Sequence, residues 1–305
     1  MPHIAIVTAR AARDLDEDLA PLVTALRERG SELSVVDWDN SGVEWKRFDL
    51  ALLRSTWDYT QRLGEFLAWA ERTSAQTRLL NPFAMVRWNT DKHYLKQLTD
   101  AGIPVVSSAF VEPGTDAASA LDRFLGAHPA FREFVVKPCV GAGSRDTQRH
   151  GREDRNAALA HIQRLLDGGG SVLLQPYLAR VDEHGETALI YFDGVFSHAI
   201  RKGPLLRRGE DPTRALFAAE HITPRVPTVE EQSVAAQTLL SIPSEQPLLY
   251  ARVDLIHDEA GNPCVLELEL TEPSLFFLHA PGSAARFADR LLERARPPHA
   301  REASQ

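Results

Sequence analysis

Two short stretches near the C-terminal end of this 305-residue chain constrain its fold most, because each places charged residues on one face and apolar residues on the other. In Tyr250-Ala-Arg-Val-Asp-Leu255, one face carries Tyr250, Arg252 and Asp254, and the other carries Ala251, Val253 and Leu255. In Cys264-Val-Leu-Glu-Leu-Glu-Leu270, Glu267 and Glu269 oppose Leu266, Leu268 and Leu270. A turn about Ala260-Gly261 predicts a hairpin with Asp254 across from Glu267 and Arg252 across from Glu269. This is the register in which the two apolar faces coincide.

That register puts three carboxylates on one face, two of them cross-strand neighbours about 5 Å apart. Two like charges at that distance repel by roughly 0.8 kcal/mol in water, and by about 3 kcal/mol at an effective dielectric near 20. The face is therefore either solvated, with Arg252 pairing Glu269, or a divalent-cation site. Magnesium takes oxygen ligands, usually one or two carboxylates plus phosphate oxygens, and Glu267 could bridge two such ions.

A second signal lies about 115 residues upstream. Phe134-Val-Val-Lys137-Pro138 ends an apolar strand on a lysine, which is costly to bury unless it meets an anion. The loop Gly141-Ala-Gly-Ser-Arg-Asp-Thr147 follows directly. Its glycines let backbone N–H groups approach phosphate oxygens, though an ordinary surface turn has the same composition. It lacks the Gly-Lys-Ser/Thr ending of a P-loop and the third glycine of a dinucleotide fingerprint.

The N-terminus reads as alternating strands and helices: strand His3–Thr8, helix Asp16–Arg29, strand Leu33–Trp38, strand Leu50–Arg54, helix Leu63–Arg72. A small parallel sheet follows, with Arg54-Ser-Thr-Trp-Asp-Tyr59 at a carboxyl end, where such sheets bind ligands. A helix is expected over 90–102, then strand, helix, strand, helix, strand to Tyr177. Asp193-Gly194 marks a hairpin between Thr187–Phe192 and Val195–Ile200. The Pro-, Arg- and Gly-rich stretch 203–227 reads as a mobile loop. Helices are expected at Thr228–Leu240 and Ala284–Arg294. The boundaries that result are an α/β domain over 1–88, a small α+β lid over 89–180, an α+β unit with the acidic hairpin over 181–297, and a disordered tail over 298–305.

Net charge is −8, which gives no nucleic-acid footprint. Cys139 and Cys264 are the only cysteines, so no disulfide framework is implied. No apolar run is long enough for a membrane span, and the expected location is cytoplasmic.

Taken in order, Lys92, Lys137 with its glycine loop, Gln175-Pro-Tyr-Leu178, Glu186, Arg252-Val-Asp254 and Glu267-Leu-Glu269 resemble the ATP-grasp superfamily over about residues 85–295. The runs Arg54–Tyr59, Gly185-Glu-Thr-Ala188 with Phe196-Ser-His-Ala199, and Glu269-Leu-Thr-Glu-Pro273 resemble its glutathione-synthetase-like branch. They are similar in particular to the cyclo-ligases of antibiotic biosynthesis that close O-ureido-D-serine into D-cycloserine.

The resemblance implies an α/β ATP-grasp fold with a Rossmann-like N-terminal domain, and ATP and Mg2+ as cofactors. Lys92 and Lys137 would bind phosphates beneath a flap of Gly141, Ala142, Gly143 and Ser144. Gln175, Pro176, Tyr177 and Leu178 would read the adenine, and Glu186 would hold the ribose. Asp254, Glu267 and Glu269 would bind metal, although many family members carry Asn at the last position. Arg252, Lys202 and Arg201 are the catalytic candidates. Arg54, Ser55 and Asp58 are candidates for substrate binding, or else simply a polar strand end. The implied reaction is attack by a nitrogen on an acyl phosphate, with a small amino-acid-like substrate as partner and a homo-oligomer allowed. A peptide-forming C–N ligase and a non-catalytic ATP-binding regulator are the other classes in view.

Overall fold

The computed structural model describes residues 2–210, 212, 215 and 221–296. Three sheets make up the molecule. The first comprises β1 (His3–Thr8), β2 (Glu32–Asp37), β3 (Leu50–Leu53) and β4 (Arg78–Leu80), all parallel in the order β2-β1-β3-β4. Alternation along β1 sends Ile4 and Ile6 into one core and Ala5 and Val7 into another. The first core includes Leu22 and Leu26 of α1 (Leu19–Glu28), and the second includes Phe66 and Trp69 of α2 (Leu63–Ser74). The helix expected from Asp16 starts at Leu19, leaving Asp16 and Asp18 ahead of it.

The helix expected over 90–102 is shorter, α4 (Tyr94–Asp100), and a further helix that was not expected, α3 (Phe83–Asn89), precedes it. The break between them frees the Asn89 amide to donate to the Leu268 carbonyl at 2.8 Å and accept from the Leu270 N–H at 2.7 Å. It also sets Lys92 in a turn instead of on a helix face.

The second sheet contains β5 (Ala109–Val111), β6 (Glu133–Pro138), β7 (Gln148–Gly151) and β8 (Val172–Pro176), in the antiparallel order β5-β8-β6-β7. Helices α5 (Ala117–Ala127) and α6 (Arg155–Asp167) cover the face that carries Phe134, Val136 and Leu174. Val135, Lys137 and Gln175 occupy alternate positions and therefore point the other way. The strand β7, which follows the glycine loop, is absent from the expected elements; it is short and polar, so it carries no alternation to read.

After α7 (Val181–His184) comes the third sheet. It holds β9 (Glu186–Phe192), β10 (Val195–Lys202), β11 (Ile222–Arg225), β12 (Tyr250–His257) and β13 (Pro263–Glu269), in the antiparallel order β11-β10-β9-β12-β13. Asp193 and Gly194 turn the β9–β10 hairpin with φ of 54° and 77°, as a two-residue hairpin loop requires. Helix α8 (Val229–Leu240) starts at a Thr228–Glu231 capping box, and α9 (Ser283–Ala295) packs beneath the first sheet.

The β12–β13 register is the one the alternation predicts, with Asp254 opposite Glu267 and Arg252 opposite Glu269. A bulge then pairs Leu255 with Val265, so Leu266 leaves the apolar face assigned to it. Within 203–227, β11 forms an edge strand where the composition predicts only loop, with Pro224 tolerated at the edge. Residues 211, 213–214 and 216–220 of that expected loop, and the expected disordered tail over 298–305, lie outside the described residues. No helix among the described residues is long and apolar enough to cross a membrane.

Candidate active site

The second and third sheets both contribute side chains to one cleft. One end is apolar, walled by Val135, Pro176, Leu178, Ile256 and the bulge residue Leu266. The Gln175 amide, buried at the end of β8, donates to Ser108 Oγ at 2.9 Å. The Tyr177 ring lies 3.6 Å under the Arg149 guanidinium, and its hydroxyl donates to Asp182 at 2.5 Å.

The middle of the cleft is charged. Lys92 Nζ sits 2.8 Å from Glu267 and donates to the Gly141 carbonyl at 2.8 Å. Lys202 donates to Asp254 at 2.7 Å and also to Glu186. Arg252 holds both oxygens of Asp254, at 2.8 Å each, and bonds Glu269 across the strand pair. Side-chain cations thus relieve the carboxylate repulsion that the hairpin register implies. They also draw the carboxylates apart. Among the described residues, the trio of potential metal-ligand groups whose donor atoms converge within 4.8 Å is Asp91, His93 and Cys139, not the hairpin trio.

Burial and pairing divide these groups. Burial pushes Glu267 up, but Lys92 and Lys137 outweigh it, leaving the carboxyl below its ordinary range. Arg252 and Lys202 likewise overcome burial at Asp254 and hold it well below. At Glu269 burial wins, and the carboxyl is pushed up to about 7. At Glu186 burial raises it to about 8. Lys137 has no carboxylate in ion-pair contact among the described residues, and burial lowers it to about 8. A buried lysine of this kind suits an incoming anion. All the donors on the hairpin face are carboxylate oxygens, which fits magnesium.

The glycine loop joins β6 to β7 along the cleft rim, and Gly141, Ala142, Gly143 and Ser144 all line it. Gly143 and Ser144 have φ of 60° and 59°. Asp146 is held by Arg164 at 2.9 Å, which anchors the far side of the loop.

Trp57, Glu272 and Ser274 also line the cleft, and sequence reasoning did not single them out. Trp57 and Glu272 both lie inside the quoted runs Arg54–Tyr59 and Glu269–Pro273, so the signal was present without a residue-level assignment. The Trp57 indole donates to the Glu272 carbonyl at 3.1 Å. Burial pushes the Glu272 carboxyl up to about 8, reinforced by the charge of Glu269.

Five sequence candidates do not line this cleft. Asp254 is 1% exposed and lies behind Arg252 and Lys202, which hold it. The other four lie elsewhere. Arg54 is 1% exposed and contacts Asp16 and Asp18 at 3.2 Å each, while donating to the Pro273 carbonyl at 2.9 Å. Ser55 is fully buried, and Asp58 accepts from the Trp38 indole at 2.8 Å. Arg54 and Ser55 are turned into the N-terminal core, and Asp58 is half-buried. Arg201 alternates away from Lys202 and donates to the carbonyls of His184 and Glu183. There it packs against Gly185, whose φ is 71° and where a Cβ would collide with the Lys202 carbonyl, so no side chain is admitted.

Two antiparallel sheets gripping a cleft with lysines on one wall and acidic strands on the other define an ATP-grasp ligase. Residues 4–81 match the family described as the N-terminal domain of D-cycloserine synthetase DcsG. Over 301 residues the chain is 43% identical to the cycloserine biosynthesis protein DcsG of Streptomyces lavendulae, covering 97% of this chain and all of that protein. The crystal structure of D-cycloserine synthetase DcsG superposes with a TM-score of 0.90 at 42% identity, covering 96% of this chain and 100% of that one. The ATP-grasp ligase PsnB, solved with minimal precursor, Mg and ADP, shares the fold at a TM-score of 0.64 and 21% identity, covering 96% of this chain and 97% of that one. The chain belongs to the D-cycloserine synthetase DcsG family and is an ATP-dependent ligase.

Proposed function

We propose that the chain uses ATP to phosphorylate the carboxylate of O-ureido-D-serine, and then closes the molecule on its own oxygen-bound nitrogen. A carboxylate has a poor leaving group, and phosphorylation supplies a good one. Attack by the nitrogen forms the ring C–N bond and releases phosphate. Hydrolytic loss of the carbamoyl group from that nitrogen then leaves D-cycloserine. The cleft's contribution is positioning and charge compensation.

The observation that carries this reading is the Lys92–Glu267 pair, 2.8 Å long and largely closed to solvent, with Lys137 and its lowered pKa beside it. Lys92 can exchange its carboxylate for a phosphate oxygen, and Lys137 can take another. Released Glu267 would then serve metal, together with Asp254 and Glu269. Bound Mg2+ supplies charge neutralisation on the phosphates. Adenine would lie between Val135, Leu178, Ile256 and Leu266, with its amino group toward Gln175, and Glu186 would take the ribose. The loop 141–144 would cover the phosphates. Arg252 and Lys202 would face the developing oxyanion.

The test is direct: incubate the protein with ATP, Mg2+ and O-ureido-D-serine, and quantify ADP and D-cycloserine. ADP release driven by this substrate, with the ring product formed in step, is the expected result. ADP release with other amino acids but not with O-ureido-D-serine would overturn the substrate assignment.

A further inference from the structure

Four buried or half-buried carboxylates line the cleft, and three of them have cationic partners: Glu186 with Lys202, Glu267 with Lys92, and Glu269 with Arg252. Glu272 differs. It is 8% exposed, it lines the cleft, and among the described residues no Lys, Arg or His lies in ion-pair contact with it. Its neighbouring hydroxyl is the neutral Tyr59, also buried. A buried carboxylate without a counter-ion is costly, and a ligand that brings a cation removes that cost.

Its position is over-determined. The Trp57 indole holds its backbone carbonyl at 3.1 Å. One residue on, the Pro273 carbonyl accepts from Arg54. Beyond that, the Asp18 carboxylate accepts from the N–H groups of Leu275, Phe276 and Phe277 at 2.6, 3.1 and 2.8 Å. Phe276 stands at φ 54°, a left-handed conformation that this clamp maintains. The N-terminal domain thus fixes a loop whose one acidic side chain enters the cleft.

We propose that Glu272 is the specificity residue that receives the ammonium group of the amino-acid substrate. This rests on the reading above, in which the substrate's carboxylate is consumed and its ammonium persists through the reaction. An ammonium in this cleft is repelled by Lys92, Lys137, Lys202 and Arg252, so it needs an anion not already claimed by them. Glu272 lines the same cleft as Lys92 and Arg252 without an ion-pair contact to either, so its carboxylate is left for the substrate.

The test compares wild type, Glu272→Gln and Glu272→Asp with O-ureido-D-serine and with its analogue lacking the amino group, following ADP. Glu272→Gln should raise the KM for O-ureido-D-serine about 10- to 100-fold, the scale of a charged hydrogen bond lost. The KM for ATP should stay within about twofold, which also reports an intact fold. Toward the deamino analogue, wild type and Glu272→Gln should be alike within about threefold, and Glu272→Asp should recover part of the loss with the true substrate. An unchanged substrate KM in Glu272→Gln, or an equal loss with the deamino analogue, overturns the assignment while leaving the ligase reading intact. Absence of ADP formation by wild type with O-ureido-D-serine overturns the substrate reading, and with it the partner assigned to Glu272.

Discussion

Two clusters of buried charge flank the same loop, Arg54 bonding the Pro273 carbonyl and Arg252 the Ser274 carbonyl. In one, Arg54 sits between Asp16 and Asp18 and also grips the Pro273 carbonyl. In the other, Lys92, Lys202 and Arg252 pair with Glu267, Asp254 and Glu269. The first is sealed inside the N-terminal core, where Arg54 is 1% exposed. The second opens onto a cleft large enough for a ligand. Buried charge alone therefore does not mark an active site. What separates the two clusters is whether a pair can exchange its partner for something entering from solvent.

The sharpest way to break this comparison is Arg54→Met. Removing the guanidinium leaves two carboxylates buried together, so the stability loss should be about 3–5 kcal/mol, read as a lowered urea midpoint. A loss of turnover without a stability change would make Arg54 a cleft residue after all. Glu267→Gln should do the reverse, lowering ATP turnover on the order of 100-fold while leaving the urea midpoint much closer to wild type. ADP release at saturating substrate is the measurement, and near-normal turnover would remove Glu267 from the proposed metal set.

The open cluster should also show itself in pH dependence. Glu186, Glu269 and Glu272 are all raised, to about 8, 7 and 8. The folded protein therefore keeps protons that the unfolded chain has released, and stability should fall as pH rises from 6.5 to 8. Burial shifts His150, His161, His198 and His257 downward, while at His93 burial is outweighed by Asp91 and Glu112, and its raised pKa adds to the loss in the same direction. Glu272→Gln should flatten the slope by up to about 1.4 kcal/mol per pH unit in thermal or urea unfolding. An unchanged slope would mean that Glu272 is charged in the free protein. The smallest effect belongs to an exposed pair: Lys96→Ala removes the helical contact to Asp100, and the urea midpoint should move by less than about 0.5 kcal/mol equivalent.

Legibility in the sequence followed the range of the interaction. The β12–β13 register, the Asp193-Gly194 turn and most helices were readable, because period and turn chemistry act over a few residues. Lys137 and the glycine loop were readable for the same reason, as was the row of acids on the hairpin. The bulge that turns Leu266 into the cleft was not, since one inserted residue leaves the alternation on both sides intact. Nor was the helix at Phe83–Asn89 or the turn after it, where Asn89 meets β13. The Arg54–Tyr59 run drew attention to the right segment and the wrong side chains: Trp57 lines the cleft, while Arg54 and Ser55 turn inward.

By itself, the sequence determined the alternating strands, their turns and the residue types placed on each face, because those follow from backbone period and apolar burial. Only the tertiary structure decided which charges are sealed and which face a ligand. Arg54 meets Pro273 across 219 positions, and Lys92 meets Glu267 from another part of the chain. Contacts of that range depend on how three sheets pack, and no local pattern encodes the packing.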